Sequence, residues 1–405
     1  MKKYIALLLA LVMVFALAAC GNSSTPAPAG SADAEPADAA ATGDYHVAMI
    51  TDYGDITDQS FNQTTYEACK AFCESNEVDF KYYKPTDDST AARVEMVDQA
   101  VAEGYNVIVM PGYAFAGTIV EAAPNYPDVK FVALDVALGD LLEAGVTAAG
   151  GEYDYDPTNW NLDEYVDMSN VYCAVYQEEL CGYMAGYAAA KMGYTKLGFL
   201  GGMAVPAVIR YGYGFLQGAD CAAMELGIAD QVSVEYAYGG QFYGSSEITA
   251  AMDTWYQNGT EVIFACGGGI YTSAAEAAAK VGGKVIGVDS DQAPIIDQYG
   301  EGMTVTSAMK GLDATVTMIL DSIIVSDTWS EHAGQMENLG LVDGEDLSKN
   351  YVGLAPSTQW SDDFDEDAYK ELVKQMVNGD IVVSNAIDKL PDLAIKVNVR
   401  EGSIM

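Results

Sequence analysis

The chain has 405 residues, with 59 acidic against 19 basic side chains, a formal charge of −40 and two histidines. An excess of negative charge this large repels nucleic acid and anionic headgroups, which excludes both as partners of the protein surface. With only His46 and His332 available, a histidine-rich metal site and a Ser-His-acid catalytic set are also excluded. Neither a metal nor a cofactor is expected.

Lys2 and Lys3 precede an apolar run from Ile5 to Leu17, and small residues lead to Cys20. A charged start, a short apolar core and a small-residue exit make an export signal, predicted over residues 1–19. Leu17-Ala18-Ala19-Cys20 resembles the bacterial lipobox, which implies cleavage before Cys20 and a lipid on its thiol. From Gly21 to Asp44 there is no aromatic and no β-branched aliphatic residue. Such a stretch cannot bury enough apolar surface to offset ordering, so residues 20–44 read as a flexible tether. The lipid would be the only hold on a membrane.

From Tyr45 the composition is globular, and about 360 residues are too many for one core, which predicts two lobes. Strands are predicted at 46–51, 106–111, 130–136, 196–202, 233–238, 261–268 and 284–290, where short apolar runs occur. Helical periodicity covers Asn62–Ser75, Ala91–Glu103, Glu178–Lys191, Tyr213–Leu226, Ser245–Gln257 and Ser273–Val281. This alternation predicts an α/β protein with doubly wound parallel sheets.

Ligands of open α/β sheets bind beyond the carboxyl ends of the strands. Those positions hold Asp52, Gly112, Asp135, Gly201 with Gly202, Gly267 to Gly269, and Asp289 with Asp291. Carboxylates, glycines and aromatics therefore recur where one polar cleft would form. Residues 151–170 break the rhythm: they are acidic and aromatic without a clean period, and read as a solvated connection between lobes. Asp154, Asp156 and Thr158 start like a calcium loop, but Asn159 and Tyr165 stand where its Gly and Glu are required. Six cysteines follow Cys20, mostly inside apolar runs, and are read as buried thiols.

The run Asp52-Tyr-Gly-Asp-Ile-Thr-Asp-Gln-Ser-Phe-Asn-Gln63 resembles the opening signature of the basic membrane protein family of nucleoside-binding lipoproteins. The resemblance continues through 131–135, 170–192, 196–202, 211–219, 261–269, 285–292 and 306–313. It implies a type I periplasmic-binding fold, two α/β lobes joined by three crossovers, here placed at 45–160 plus about 300–327 and about 161–299 plus 328–405. It also implies delivery of a nucleoside to an ABC permease. A monomer is expected. Tyr176 departs from the family, where Phe is more usual.

A nucleoside has a flat base, polar base edges and a ribose diol. Flat bases call for aromatic faces: Phe61 is one, with Phe242 or Tyr211 opposite. Asn62 and Asp135 match the family positions that read the base edge. Asp289 suits a cis diol, with Lys310 donating to the same hydroxyls and balancing the carboxylate, since an unpaired buried charge is costly. Gly267 and Gly268 would let the backbone approach the sugar. A sugar ligand is the alternative within the same fold. A dinucleotide enzyme is disfavoured, because Thr272 occupies the last glycine of G-x-G-x-x-G and no Walker-type glycine loop is present.

Overall fold

The computed structural model describes residues 44–405; the expected export signal, Cys20 and nearly all of the expected tether lie outside the described residues. Seven segments predicted as strands are strands: β1 (His46–Ile50), β3 (Val107–Pro111), β4 (Lys130–Leu134), β6 (Lys196–Gly201), β7 (Ser233–Tyr238), β8 (Val262–Cys266) and β9 (Lys284–Asp289). Six more complete the sheets: β2 (Asp79–Tyr83), β5 (Val171–Tyr176), β10 (Thr304–Lys310), β11 (Met336–Leu339), β12 (Val352–Leu354) and β13 (Lys396–Ser403). β2, β11, β12 and β13 are edge strands, short or exposed, so their sequences lack a continuous apolar run.

The first sheet runs β11-β5-β4-β3-β1-β2, parallel throughout. The second runs β12-β10-β9-β8-β6-β7-β13, with only β12 antiparallel. Central strands such as β3 (VIVMP) and β8 (VIFAC) are buried at every residue, as helices on both faces of a parallel sheet require. The strand order β2-β1-β3-β4-β5 in one lobe repeats as β7-β6-β8-β9-β10 in the other. The exits repeat too: Gly112 and Gly267 follow β3 and β8 at φ +127° and +138°, and Asp135 and Asp289 end β4 and β9 at φ +61° and +63°.

Helices α1 (Phe61–Ser75), α2 (Thr90–Ala102), α3 (Ala116–Ala122) and α4 (Leu138–Ala148) belong to the first lobe; α5 (Glu178–Lys191), α6 (Pro206–Glu225), α7 (Ser246–Gln257), α8 (Tyr271–Ala279) and α9 (Ala293–Ile296) belong to the second. α10 (Leu312–Ile324) packs on α1, and α11 (Glu366–Val377) follows β12.

The lobe boundaries differ from those expected. β5 joins the first sheet although it lies beyond residue 160, β10 joins the second although it lies within 300–327, and β11 returns to the first. The chain crosses at Tyr176–Glu178, Lys310–Leu312 and Leu339–Val352. Sheet membership is decided by backbone pairing, of β5 with β4, β10 with β9 and β11 with β5, and the local sequence carries no mark of it. Residues 151–170 likewise join α4 to β5 within the first lobe, not one lobe to the other. The crossings hold one another: Gln177 N–H donates to Leu339 O (2.9 Å), Gly311 N–H to Tyr351 O (2.7 Å) and Tyr351 N–H to Gly340 O (2.9 Å). All six described cysteines are unpaired, five of them buried and Cys221 half-buried.

Helices α5 and α6 pack at backbone contact. A Cβ on Gly186 would lie 2.0 Å from Phe215 O, and one on Gly218 2.0 Å from Tyr183 O. This approach sets the first turns of α5 against the first half of α6, where Arg210 and Tyr211 lie; a Cβ on Gly182 would lie 2.1 Å from Tyr211 O. Gly186→Ala must push the helices apart, at a cost of about 1–3 kcal/mol. The expected result in thermal unfolding is a midpoint lowered by roughly 2–4 °C per kcal/mol; an unchanged midpoint would show that the helices do not need this contact.

Candidate functional site

Between the carboxyl ends of the two sheets lies a cavity of about 450 Å³. All ten residues singled out from the sequence line it: Asp52, Phe61, Asn62 and Asp135 from the first lobe, and Tyr211, Phe242, Gly267, Gly268, Asp289 and Lys310 from the second. Each reaches it for a local reason.

Asp52 follows β1 and turns the chain on itself, its Oδ1 accepting the N–H groups of Tyr53 and Gly54 at 2.7 Å each. Burial pushes its carboxyl up against those two donors. Asp58, missed in the sequence, caps the entry to α1. Its Oδ1 accepts from the Ser60 and Gln63 N–H groups (2.9 and 3.0 Å), and its Oδ2 accepts from the N–H and Nδ2 of Asn62 (3.0 and 3.2 Å). Asn62 thus spends one of its two amide N–H groups inside the protein, and its Oδ1 is enclosed without a partner.

Phe61, the first residue of α1, lines the cavity and also packs on the core. Across the cavity Phe242 is the better placed of the two candidate faces. Tyr211 is 2% exposed, and its hydroxyl donates to Ala308 O at 3.3 Å, which makes it chiefly a core residue. Phe242 is half-buried and lies over Gly267 and Gly202, where an added Cβ would meet its ring at 2.7 and 2.3 Å. A Cβ on Gly268 would meet the Phe242 carbonyl oxygen at 2.8 Å. The missing side chains of Gly267 and Gly268 therefore make room for Phe242 rather than for a sugar.

The expected Asp289–Lys310 pair is not formed. Parallel register sets Met309, not Lys310, beside Asp289, and Asp289 Oδ2 instead accepts from the Ser60 hydroxyl of the other lobe at 2.6 Å. Lys310 Nζ reaches across to Asp135 Oδ2 (2.5 Å) and makes an ion contact with Glu178 Oε1 (3.1 Å). It also lies 5.0, 5.3 and 5.6 Å from the ring centres of Phe61, Tyr176 and Tyr211, within cation–π range. The Tyr176 hydroxyl donates to Thr315 Oγ1 at 2.9 Å, so the Tyr that replaces Phe is satisfied.

Burial opposes the charge on Lys310, but Asp135, Glu178 and Asp289 outweigh it and hold the ammonium above the usual lysine range. For Asp135 burial wins: its carboxyl is pushed up to about 6 although Lys310 draws it down. Glu178 is fully buried, yet Arg210 and Lys310 hold it below the usual carboxylate range. Asp135 Oδ1, like Asn62 Oδ1, has no hydrogen-bond partner. Two enclosed acceptors without donors are costly unless a ligand supplies them.

Glu178 and Arg210 also escaped the sequence reading. An acidic residue in the first turn of a helix passes for a dipole-satisfying cap. Arg210 carried one usable signal: it is one of three arginines in the chain, with Arg93 and Arg400.

The family described as ABC transporter substrate-binding protein, PnrA-like, matches residues 45–385. The ABC transporter nucleoside-binding protein BmpA of Lactococcus lactis is 26% identical over 262 residues, 62% of this chain and 65% of that protein, just under two thirds of its length. A CD4+ T-cell-stimulating antigen of Listeria innocua is 27% identical over 398 residues, 93% of this chain and 97% of that protein. An ABC transporter solute-binding protein from Aeropyrum pernix K1, 20% identical, superposes with a TM-score of 0.64 over 85% of this chain and 94% of that one, which establishes the fold. With two parallel-sheet lobes, three crossings, an interlobe cavity and a family match over nearly all of the described residues, the chain belongs to the PnrA-like family of ABC transporter substrate-binding proteins and is a solute-binding protein, not an enzyme.

Proposed function

We propose that the ligand is an uncharged nucleoside, carried to an ABC permease by a monomeric protein held at the membrane through a lipid on Cys20. The observation that carries the ligand reading is the pair of partnerless acceptors, Asn62 Oδ1 and Asp135 Oδ1, in a cavity that Phe61 also lines. An aromatic face contributes roughly 1–3 kcal/mol per stacked base, and enclosed acceptors select for base-edge or hydroxyl donors. The name of the Lactococcus lactis relative agrees with this reading. Phosphorylated ligands fit poorly. Six carboxylates line the cavity, and its two cations, Lys310 and Arg210, are already paired with carboxylates.

Ligand binding stabilises the native state by about 2.7 kcal/mol at a hundredfold excess over Kd. After removal of copurified ligand, guanosine, adenosine, inosine or uridine should raise the melting temperature by several degrees, at roughly 2–4 °C per kcal/mol. The matching monophosphates should do little, and ribose, glucose and galactose nothing. A response to a hexose with silence from every nucleoside would install the sugar alternative.

The Asp135 carboxyl gives the binding a pH dependence of known sign. Its pKa of about 6 lies above the unperturbed 3.8, so the folded protein takes up this proton as pH falls below 6. Protonation removes the acceptor that a ligand donor needs. Nucleoside affinity should therefore be flat above pH 7 and fall by up to about tenfold per pH unit below 6. Calorimetry at pH 5, 6 and 7.5 that showed constant affinity would remove Asp135 from the contact. For the anchor, Cys20→Ser should move the protein from the detergent phase to the aqueous phase with unchanged unfolding; unchanged partitioning would exclude lipidation there.

A further inference from the structure

The charged side chains that line the cavity are mostly acceptors, six carboxylates against two cations. Asp52, Asp58, Asp135 and Asp289 are carboxylates, and Asn62 gives one of its two amide N–H groups to Asp58. Every nucleoside base nonetheless carries a carbonyl or ring-nitrogen acceptor, which needs a donor. Lys310 directs its charge at Asp135 and Glu178. Beside the neutral donors of Asn62 and of the Tyr53, Tyr113 and Tyr243 hydroxyls, the remaining charged donor is Arg210.

Arg210 lies on α6 and lines the cavity, close enough to Asp140 of the first lobe to draw down a carboxyl that burial raises. Its Nε donates to Glu178 Oε2 at 2.6 Å, and its guanidinium makes no other hydrogen bond among the described residues. A guanidinium has five N–H donors in a rigid fork, so four remain. Glu178, with its side chain 0% exposed, does not line the cavity. It sits behind both cations, at the first residue after the first crossing, and the backbone contact of α5 with α6 fixes its distance from Arg210.

We propose that Arg210 contacts the ligand and donates to a neutral acceptor on it, and that Glu178 is the positioning residue that aims this guanidinium and cancels its charge. An unpaired arginine in a closed cavity recruits phosphate. One backed by a buried carboxylate keeps its donors but loses its net charge, so it suits a carbonyl and rejects an anion. Glu178 thereby decides whether this end of the cavity accepts a nucleoside or its phosphorylated form. The proposal draws its choice of probes from the nucleoside reading.

The test is calorimetry on ligand-stripped protein with inosine, uridine and their 5′-monophosphates, beside ligand-free melting curves. Arg210→Lys, which keeps a cation for Glu178, should bind the nucleosides roughly tenfold more weakly or worse, the loss expected for a hydrogen bond to a charged group. Arg210→Gln should lose as much affinity and also melt lower without ligand, because the buried Glu178 Oε2 loses its partner. Glu178→Gln should reduce the preference for nucleoside over monophosphate by about tenfold. Affinity within twofold of the unmutated protein in both Arg210 variants would overturn the contact. An unchanged nucleoside-to-monophosphate ratio in Glu178→Gln would overturn the role of Glu178. Should Glu178→Gln not fold, Glu178→Asp, which keeps the charge but withdraws it by one methylene, must weaken nucleoside binding without admitting the monophosphate; undiminished affinity there is equally fatal. If the unmutated protein answers a sugar instead, the nucleoside reading falls, and the same variants decide the arginine contact with that sugar. Silence from nucleosides and sugars alike would overturn both.

Discussion

A lysine buried between two lobes constrains everything around it. Lys310 is 4% exposed, at the end of β10 where the chain crosses from one sheet to the other. A charge removed from water to that degree must be paired or the fold loses several kcal/mol. Asp135 supplies one partner from the opposite lobe and Glu178 the other from the crossing itself. One cation therefore ties the exit of β4, the first crossing and the second into a single electrostatic unit, and that unit forms part of the cavity wall.

Holding this unit in place makes demands on the backbone. Asp135 and Asp289 adopt left-handed φ values that few residues other than glycine tolerate, at equivalent exits of the two repeated sheets. Glycines in α5 and α6 bring the helices that carry Glu178 and Arg210 to backbone contact. The entry to α1 is set by Asp58, whose four accepted bonds also fix the amide of Asn62. Further ties cross the cleft without Lys310: Ser60 to Asp289, and the Gln59 carbonyl to Ser290 and Gln292 at 3.0 and 2.9 Å. Lobe closure thus has a hydrogen-bonded clasp built from one loop of the first lobe and the exit of β9 in the second.

The extreme acidity of the chain reaches its interior in a selective way. Carboxylates crowd the cavity, but they do not share one state: burial lifts Asp135 and Asp140 to about 6, while two adjacent cations keep Glu178 ionised. One carboxylate is a fixed counter-ion and another a group that titrates close to neutral pH, although both contact the same lysine.

Much of the site was legible in the sequence because a parallel α/β sheet places its ligand at strand exits, and apolar runs reveal where central strands end. The cavity-lining positions Asp52, Asp135, Gly267, Asp289 and Lys310 were reached on that basis or through family resemblance, Asn62 through the resemblance, and Phe61 as an aromatic residue in the polar loop 52–63. The partners of these residues were not legible. Whether Lys310 meets Asp289 or Asp135 depends on the register of β10 against β9 and on how the two lobes face each other, which brings Asp135 alongside from 175 residues away. Backbone pairing likewise put β5 beside β4 and returned β11 to the first lobe, Met336 pairing with Cys173 from 163 residues away. Tyr211 and Phe242 looked equivalent as aromatic residues, and only packing put one hydroxyl on Ala308 and the other ring over two glycines. Residue types and strand ends are local properties, and the sequence alone determined them; pairing, burial and charge state depend on what the fold brings alongside, and only the tertiary structure decided those.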